Sequence, residues 1–196
     1  FAEYHGIRLE VVVPPSHGEM TSWLLEGRAD IAMGFMESDE RQRRLGIEYS
    51  DPYHYANQHI VVQQEDSAKS LADLDDRTLF VRHHSGYWNR LSEMQREGAR
   101  FHLRETDDNV ETEQLIQMVS SGEYEATMAG EHLLDIELAK GVPVRSAYVL
   151  DEPAAHSIVL RKRNPKLKQA LDEFVKRVYK SEFYNVIYTK YFKSQR

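Results

Sequence analysis

The run Gly27-Arg28-Ala29-Asp30-Ile31-Ala32-Met33-Gly34-Phe35, followed by Ser38-Asp39-Glu40-Arg41, constrains the fold more than any other part of the chain. Helical spacing through Met20, Trp23, Leu24 and Gly27 ends in a glycine, which accepts the left-handed conformation that closes a helix. The short apolar stretch Ile31 to Phe35 follows as a strand, and a new helix opens near Ser38. A strand feeding a helix amino terminus makes a place for an anion, because unpaired N–H groups and the helix dipole both face the strand's carboxyl end. Strands alternating with helices in this way point to an α/β fold.

The flanking segments extend the pattern. Phe1 to Gly6 reads as the tail of an amphipathic helix with Gly6 as its C-cap, and Ile7 to Val13 as a strand stopped by Pro14-Pro15. With Ile31 to Phe35 this gives a βαβ-like unit, which implies parallel pairing through a crossover helix. The alternating run His59 to Gln63 looks like a strand leaving a first lobe. A second α/β unit follows: a short helix at Leu71 to Leu74, strands at Thr78 to Val81, Phe101 to Arg104 and Tyr124 to Ala129, and helices at Ser85 to Glu97, Glu111 to Ser120 and Glu131 to Lys140. Ser157 to Arg161 would be the returning strand. Pro165 opens a helix with Leu167, Leu171, Phe174, Val175 and Val178 on one face, and this helix, with one around Tyr184 to Phe192, is expected to pack on the first lobe.

The expected organisation is therefore a discontinuous first lobe, 1–57 with 159–196, and a continuous second lobe, 58–158, that includes both crossings. Each lobe would be a small, mainly parallel sheet flanked by helices, with a ligand cleft at the carboxyl ends of the strands. There is no internal repeat and no low-complexity tract.

Composition removes other classes. The 196 residues carry 25 Lys and Arg against 32 Asp and Glu, a net charge of −7 without a basic stripe, which disfavours a nucleic-acid partner. No stretch approaches the roughly 20 apolar residues that span a bilayer, so any anchor would lie outside this chain. Cysteine is absent, which excludes disulfides and thiol chemistry. No H-E-x-x-H, G-x-S-x-G, phosphate loop or dinucleotide turn occurs. His83 and His84, as neighbours in a strand, would point to opposite sides and cannot share a metal. No catalytic residue, metal or cofactor is expected.

The Gly27 to Phe35 run, Ser38-Asp39-Glu40-Arg41 and Tyr49-Ser50-Asp51-Pro52-Tyr53 together resemble the core signature of family 3 periplasmic solute-binding proteins, two-lobed Venus-flytrap receptors that close on small ligands. The resemblance covers nearly the whole chain and implies an extracytoplasmic binding module. Proteins of this family place a strand and most of a helix before the point matching Phe1, so the first strand of lobe 1 is expected to lie outside this numbering. Arg41 matches the family arginine that holds a ligand carboxylate, a role suited to a planar guanidinium; alternatively it shares a solvated helix face with Arg43 and Arg44. Ser38 is either a ligand contact or an N-cap.

The match departs from amino-acid receptors at two places. Met36 stands where those receptors carry a Ser or Thr facing the ligand, and Gly130 stands where an acid takes the ligand's ammonium. Glu131, next along, either replaces that acid or serves the helix dipole. Ser85, Gly86 and Tyr87 match the turn that supplies ligand donors from the second lobe; Tyr87 and Trp88 suit a larger or apolar ligand face, or else pack in core and surface.

The tail Phe183 to Phe192 resembles the junction in fused cell-wall enzymes of the membrane-bound lytic transglycosylase F type, where a solute-binding module precedes the catalytic domain; its spacing also fits a plain packing helix. The resemblance implies a regulatory module, periplasmic, in a parent protein anchored at the outer membrane. Its ligand would be a peptidoglycan-derived muropeptide or peptide stem, and its partner a fused murein-cleaving domain. The alternatives are an amino-acid or small-carboxylate receptor of an uptake system, and a dehydratase on the same fold with Glu131 as general acid.

Overall fold

A left-handed glycine closes the first helix, α1 (Ala2–His5): Gly6 sits at φ 62° and its N–H returns to the carbonyls of Ala2 and Glu3. The computed structural model describes residues 1–107 and 109–193. Asp108 and residues 194–196, which the expected lobe ranges include, lie outside the described residues. The elements after α1 are α2 (Met20–Leu25), β1 (Ile31–Glu37), α3 (Glu40–Arg44), β2 (Ile47–Ala56), β3 (Gln58–Gln63), β4 (Thr78–Arg82) and α4 (Gly86–Arg96). There follow β5 (His102–Thr106), α5 (Thr112–Ser121), β6 (Thr127–Gly130), α6 (Glu131–Ala139), β7 (Val144–Val149), β8 (Ala154–Arg161), α7 (Pro165–Val178) and α8 (Glu182–Tyr188). A π-helical turn spans Thr189–Lys193.

Contacts divide the chain into two units: Phe1–Tyr55 with Ala155–Tyr188, and Ala56–Ala154 with the described part of 189–196. The π-helical turn belongs to the second unit, where it meets α6, whereas the sequence placed it with the first lobe.

The first unit is built on a sheet of order β1–β8–β2. β8 is covered on both faces, which alternation along a strand allows. Ile158 and Leu160 pack with Leu171 and Val175 of α7, while Val159 packs with Leu24 of α2 and with Ile47 and Tyr49 of β2. Asn164 caps α7 by accepting the Leu167 N–H, and Pro165 opens it. Arg161 ties the end of α2 to the sheet by donating to the Leu24 and Ala29 carbonyls. β1 and β8 are antiparallel and change register between Ala32 and Met36; the bulge contains Phe35, which adopts φ 55°.

The second unit pairs β3 with β6 and with β7, both antiparallel, and β4 with β5 in parallel; a parallel bridge from Leu79 to Ala126 lies beside β6. Ile60 and Val62 of β3 face one core with Leu79, Val81, Leu91, Phe101 and Met128. Val61 faces the other core, with Ile116, Val119 and Leu134. Glu111 and Gln114 form a capping box at the start of α5, and Gly122 ends that helix at φ 79°.

Several expectations are corrected. Ile7 to Val13 is no strand: Ile7, Leu9, Val11 and Val13 are each more than half exposed, and no described strand pairs with them. β-branched composition favours a strand only where a neighbour takes its N–H and C=O groups. Without it the βαβ unit does not form, and β1 runs antiparallel to β8 instead. Among the pairings described, β4–β5 and one bridge are parallel while β1–β8, β3–β6 and β3–β7 are antiparallel, so the sheets are mixed rather than mainly parallel, because β3 and β8 are not reached through a crossover helix from a neighbour. β2 and β7 are additional strands. The N-cap of α3 is Asp39, not Ser38.

Candidate functional site

In the first unit, Arg41 lies at the start of α3, just after β1. Asp39 caps this helix by accepting the Arg41 N–H at 2.7 Å, and its other oxygen takes the guanidinium at 3.0 Å. Burial works to raise the Asp39 carboxyl, but the Arg41 hydrogen bonds and charge outweigh it and hold the group below the ordinary carboxylate value; the same contact raises Arg41. The Arg41 side chain is 71% exposed. A carboxylate from outside would thus meet a guanidinium already oriented by a neighbour.

Ser38 is exposed and Met36 half-buried. Met36 packs against the cluster of Leu24, Ile47, Tyr49 and Val159. Ser38 borders a groove of about 460 Å³ whose other lining includes Arg43, Glu48, Tyr49, Ser157 and Lys168. Arg41 and Met36 do not line it. Its cations are committed, Arg43 to Glu48 and Glu40 and Lys168 to Asp172.

In the second unit, Ser85 is buried and caps α4. Its hydroxyl donates to the Arg82 carbonyl at 2.6 Å and accepts from the Trp88 N–H at 3.2 Å. Gly86 is the first residue of α4. Tyr87 and Trp88 are both half-buried and pack against the larger core cluster, so neither is a surface ring. The Tyr87 hydroxyl accepts the N–H of Gly130 at 2.9 Å, joining α4 to the amino end of α6. A Cβ at Gly130 would lie 2.7 Å from Cε1 of His132, itself 2% exposed. A side chain at position 130 would therefore have to displace the buried His132 ring. Glu131 donates its N–H to the Asn57 carbonyl at 2.8 Å, and its carboxylate accepts the Asn57 amide at 3.2 Å.

The structure thus joins Tyr87 to Gly130 through a hydrogen bond, binds the neighbouring Glu131 to Asn57 instead, and sets Ser85 and Gly86 at the same helix start as Tyr87. Asp39, Asn57, His132 and Arg82 were missed by sequence reasoning. Only Asp39 carried a local signal, as an aspartate two residues before a helix-opening arginine.

Two histidine environments complete the picture. In the first unit, His54 and His156 stack at 5.4 Å with Phe35 against both, and the Tyr184 hydroxyl lies 3.2 Å from His54 Nδ1. Burial, then the neighbouring His54, push His156 from 6.5 down to about 4. Burial and nearby tyrosines push Tyr184 up to about 12. In the second unit His59 meets Ser146 at 2.9 Å; burial lowers it, while Glu131 and Asp135 act in the opposite sense. Among the described residues, no group of three or more His, Cys, Asp or Glu is placed to hold a metal ion, and no helix is long and apolar enough to cross a membrane.

Residues 1–194 match the model of bacterial extracellular solute-binding proteins, family 3. The chain is 29% identical to the membrane-bound lytic murein transglycosylase F of Alteromonas mediterranea over 98% of its own length and 43% of the relative's. It is 26% identical to the protein of that name from Desulfosudis oleivorans over 98% of its length and 42% of the relative's. It thus spans less than half of these curated relatives. Among solved structures, an ancestral amino acid-binding protein described as a precursor of cyclohexadienyl dehydratase superposes with a TM-score of 0.79 at 24% identity, covering 98% of this chain and 81% of that one. That likeness establishes the fold, of the α/β type found in periplasmic amino-acid-binding proteins. On the match along nearly its whole length, the chain belongs to the bacterial extracellular solute-binding proteins, family 3.

Proposed function

We propose that this chain is a periplasmic sensing module that binds a peptidoglycan-derived ligand, a muropeptide or its peptide stem, and regulates a fused murein-cleaving domain in a parent anchored at the outer membrane. The observation that carries the reading is the closure of position 130. His132 occupies the space of a side chain there and Tyr87 takes the backbone N–H, so position 130 itself offers a free α-ammonium no carboxylate, and that of Glu131 beside it is already bound to Asn57. A ligand whose amino group is acylated does not require one. Arg41 holds a carboxylate of the stem, Ser85 and Gly86 supply donors, and Met36 and Tyr87 offer apolar surface, with Ser38, Gly130 and Glu131 bordering the ligand. The transglycosylase relatives support the fused partner. Binding acts by favouring one conformation of the module over another, which requires differential affinity for the two.

Amide NMR of the labelled chain, titrated with purified muropeptides and in parallel with the common amino acids, tests this. Saturable shifts at Ser85 and Arg41 with muropeptides alone, abolished by Arg41→Ala, are expected. Shifts with a free amino acid instead would make the chain an uptake receptor. Elimination activity of the isolated chain on a prephenate-like acid, lost in Glu131→Gln, would make it a dehydratase.

A further inference from the structure

Arg82 ends β4 and is the one lysine or arginine that is buried among the described residues, at 9% exposure. A guanidinium withdrawn from water must keep an anionic partner. That partner is Glu111, at 2.8 Å from Nη1, while Nη2 stands 3.5 Å from Thr112 Oγ1, a marginal contact. The Glu111 side chain is 53% exposed, so the pair joins a fixed, buried cation to an anion that water reaches.

The surroundings are built from two strand ends and two helix starts. Arg82 and Thr106 are neighbours in the parallel register of β4 and β5. Ser85 caps α4 and binds the Arg82 carbonyl, while Glu111 and Thr112 begin α5. The Thr106 hydroxyl is a second, independent observation: the residue is 8% exposed and its Oγ1 has no hydrogen-bond partner among the described residues. Buried hydroxyls are ordinarily satisfied, and one left open beside a buried guanidinium asks for an acceptor.

We propose that this end of the β4–β5 pair is a carboxylate subsite, where an acidic group of the ligand takes Arg82 from Glu111 and accepts the Thr106 hydroxyl. The ligand then carries a carboxylate in addition to the one assigned to Arg41. The proposal rests on the sensing function above and narrows its ligand to an acidic acyl-peptide.

The exchange keeps the buried guanidinium neutralised, since one carboxylate replaces another. Glu111, once released, returns to water and keeps its place in the α5 capping box, where it accepts the N–H of Gln114. Arg82 has no such freedom. A group of higher charge is disfavoured by Glu105 and Asp107, which flank Thr106 at this strand end.

The test compares two probes on the intact chain by calorimetry and by the Arg82 Nε–H signal: N-acetyl-alanyl-glutamate, with two carboxylates, and N-acetyl-alanyl-glutamine, with one. The acidic peptide is expected to bind at least about tenfold tighter, in the range of one charge-assisted hydrogen-bonded pair. Arg82→Gln erases the preference, and Glu111→Gln, which retains the cap acceptor, tightens the acidic peptide several-fold by removing the competitor. Equal affinities, or a preference that survives in folded Arg82→Gln, overturn the subsite. Should that variant not fold, Glu111→Gln decides, and unchanged or weaker affinity for the acidic peptide overturns it. Silence from both peptides while muropeptides still shift Ser85 removes the subsite alone; silence from muropeptides as well removes the sensing function with it.

Discussion

In the first unit the candidate cation, Arg41, stands on a five-residue helix with most of its side chain in water and leans on Asp39. In the second unit Ser85, Gly130 and Arg82 are buried and fixed through backbone and side-chain hydrogen bonds. A long exposed side chain held by one surface pair keeps more rotamer freedom for a ligand to remove than buried donors, which have lost theirs on folding. Under the proposed function, one unit would follow the ligand and the other select it. The histidines divide in the same way: His156 faces His54 and aromatic rings, while His59 has Glu131 and Asp135 to offset its burial.

The largest effect separating the units is acid. His156 has a folded pKa below its ordinary value, so its contribution is present above about pH 6.5 and is lost as pH falls toward 4. Between pH 7 and pH 4 the first unit is expected to lose about 3 kcal/mol from this group. Hydrogen exchange at mild acid should open β1, β2 and β8 ahead of β3, β6 and β7, and His156→Gln should flatten the dependence. Parallel loss of protection in both units breaks the contrast.

Next in size is Gly130→Ala, which drives a methyl group into His132 and should cost about 1–3 kcal/mol in a urea melt. The cost should shrink in a His132→Ala background, since neighbouring sites couple; strict additivity would mean that the close approach is not what fixes the glycine. Ser85→Ala removes the α4 cap and should cost about 1 kcal/mol, with Ser85→Thr near neutral.

The smallest expected change in stability is Arg41→Ala, within about 0.5 kcal/mol because its pair with Asp39 is exposed. Its ligand response should nevertheless vanish. A larger loss of stability would make Arg41 a structural residue and dissolve the distinction between the units.

Much of this architecture was legible because it depends on single residues. Gly6 and Gly122 end helices in the left-handed region, Pro165 opens one, and Ser85 caps another. The apolar runs of β3 and β8 also stood out. β2 was missed because Glu48, Ser50, Asp51 and Pro52 break any apolar alternation; it exists through its place beside β8. Ile7 to Val13 failed in the opposite sense, since its propensity was high and its partner absent among the described strands. At the site, Arg41, Ser85 and Gly130 were named from the sequence. Asp39, Tyr87's hold on Gly130, His132 and Arg82 became visible only through contacts.

By itself, then, the sequence determined where helices begin and end, which segments are apolar enough to enter a core, and the family to which the chain belongs. These follow from backbone freedom at glycine and proline, from capping chemistry and from local pattern. Tertiary structure decided which strands pair and in what direction, that the His132 ring packs tightly against position 130, and that Arg82 is buried opposite Glu111. Each of these is a relation between residues far apart in the chain, and packing rather than local propensity sets it.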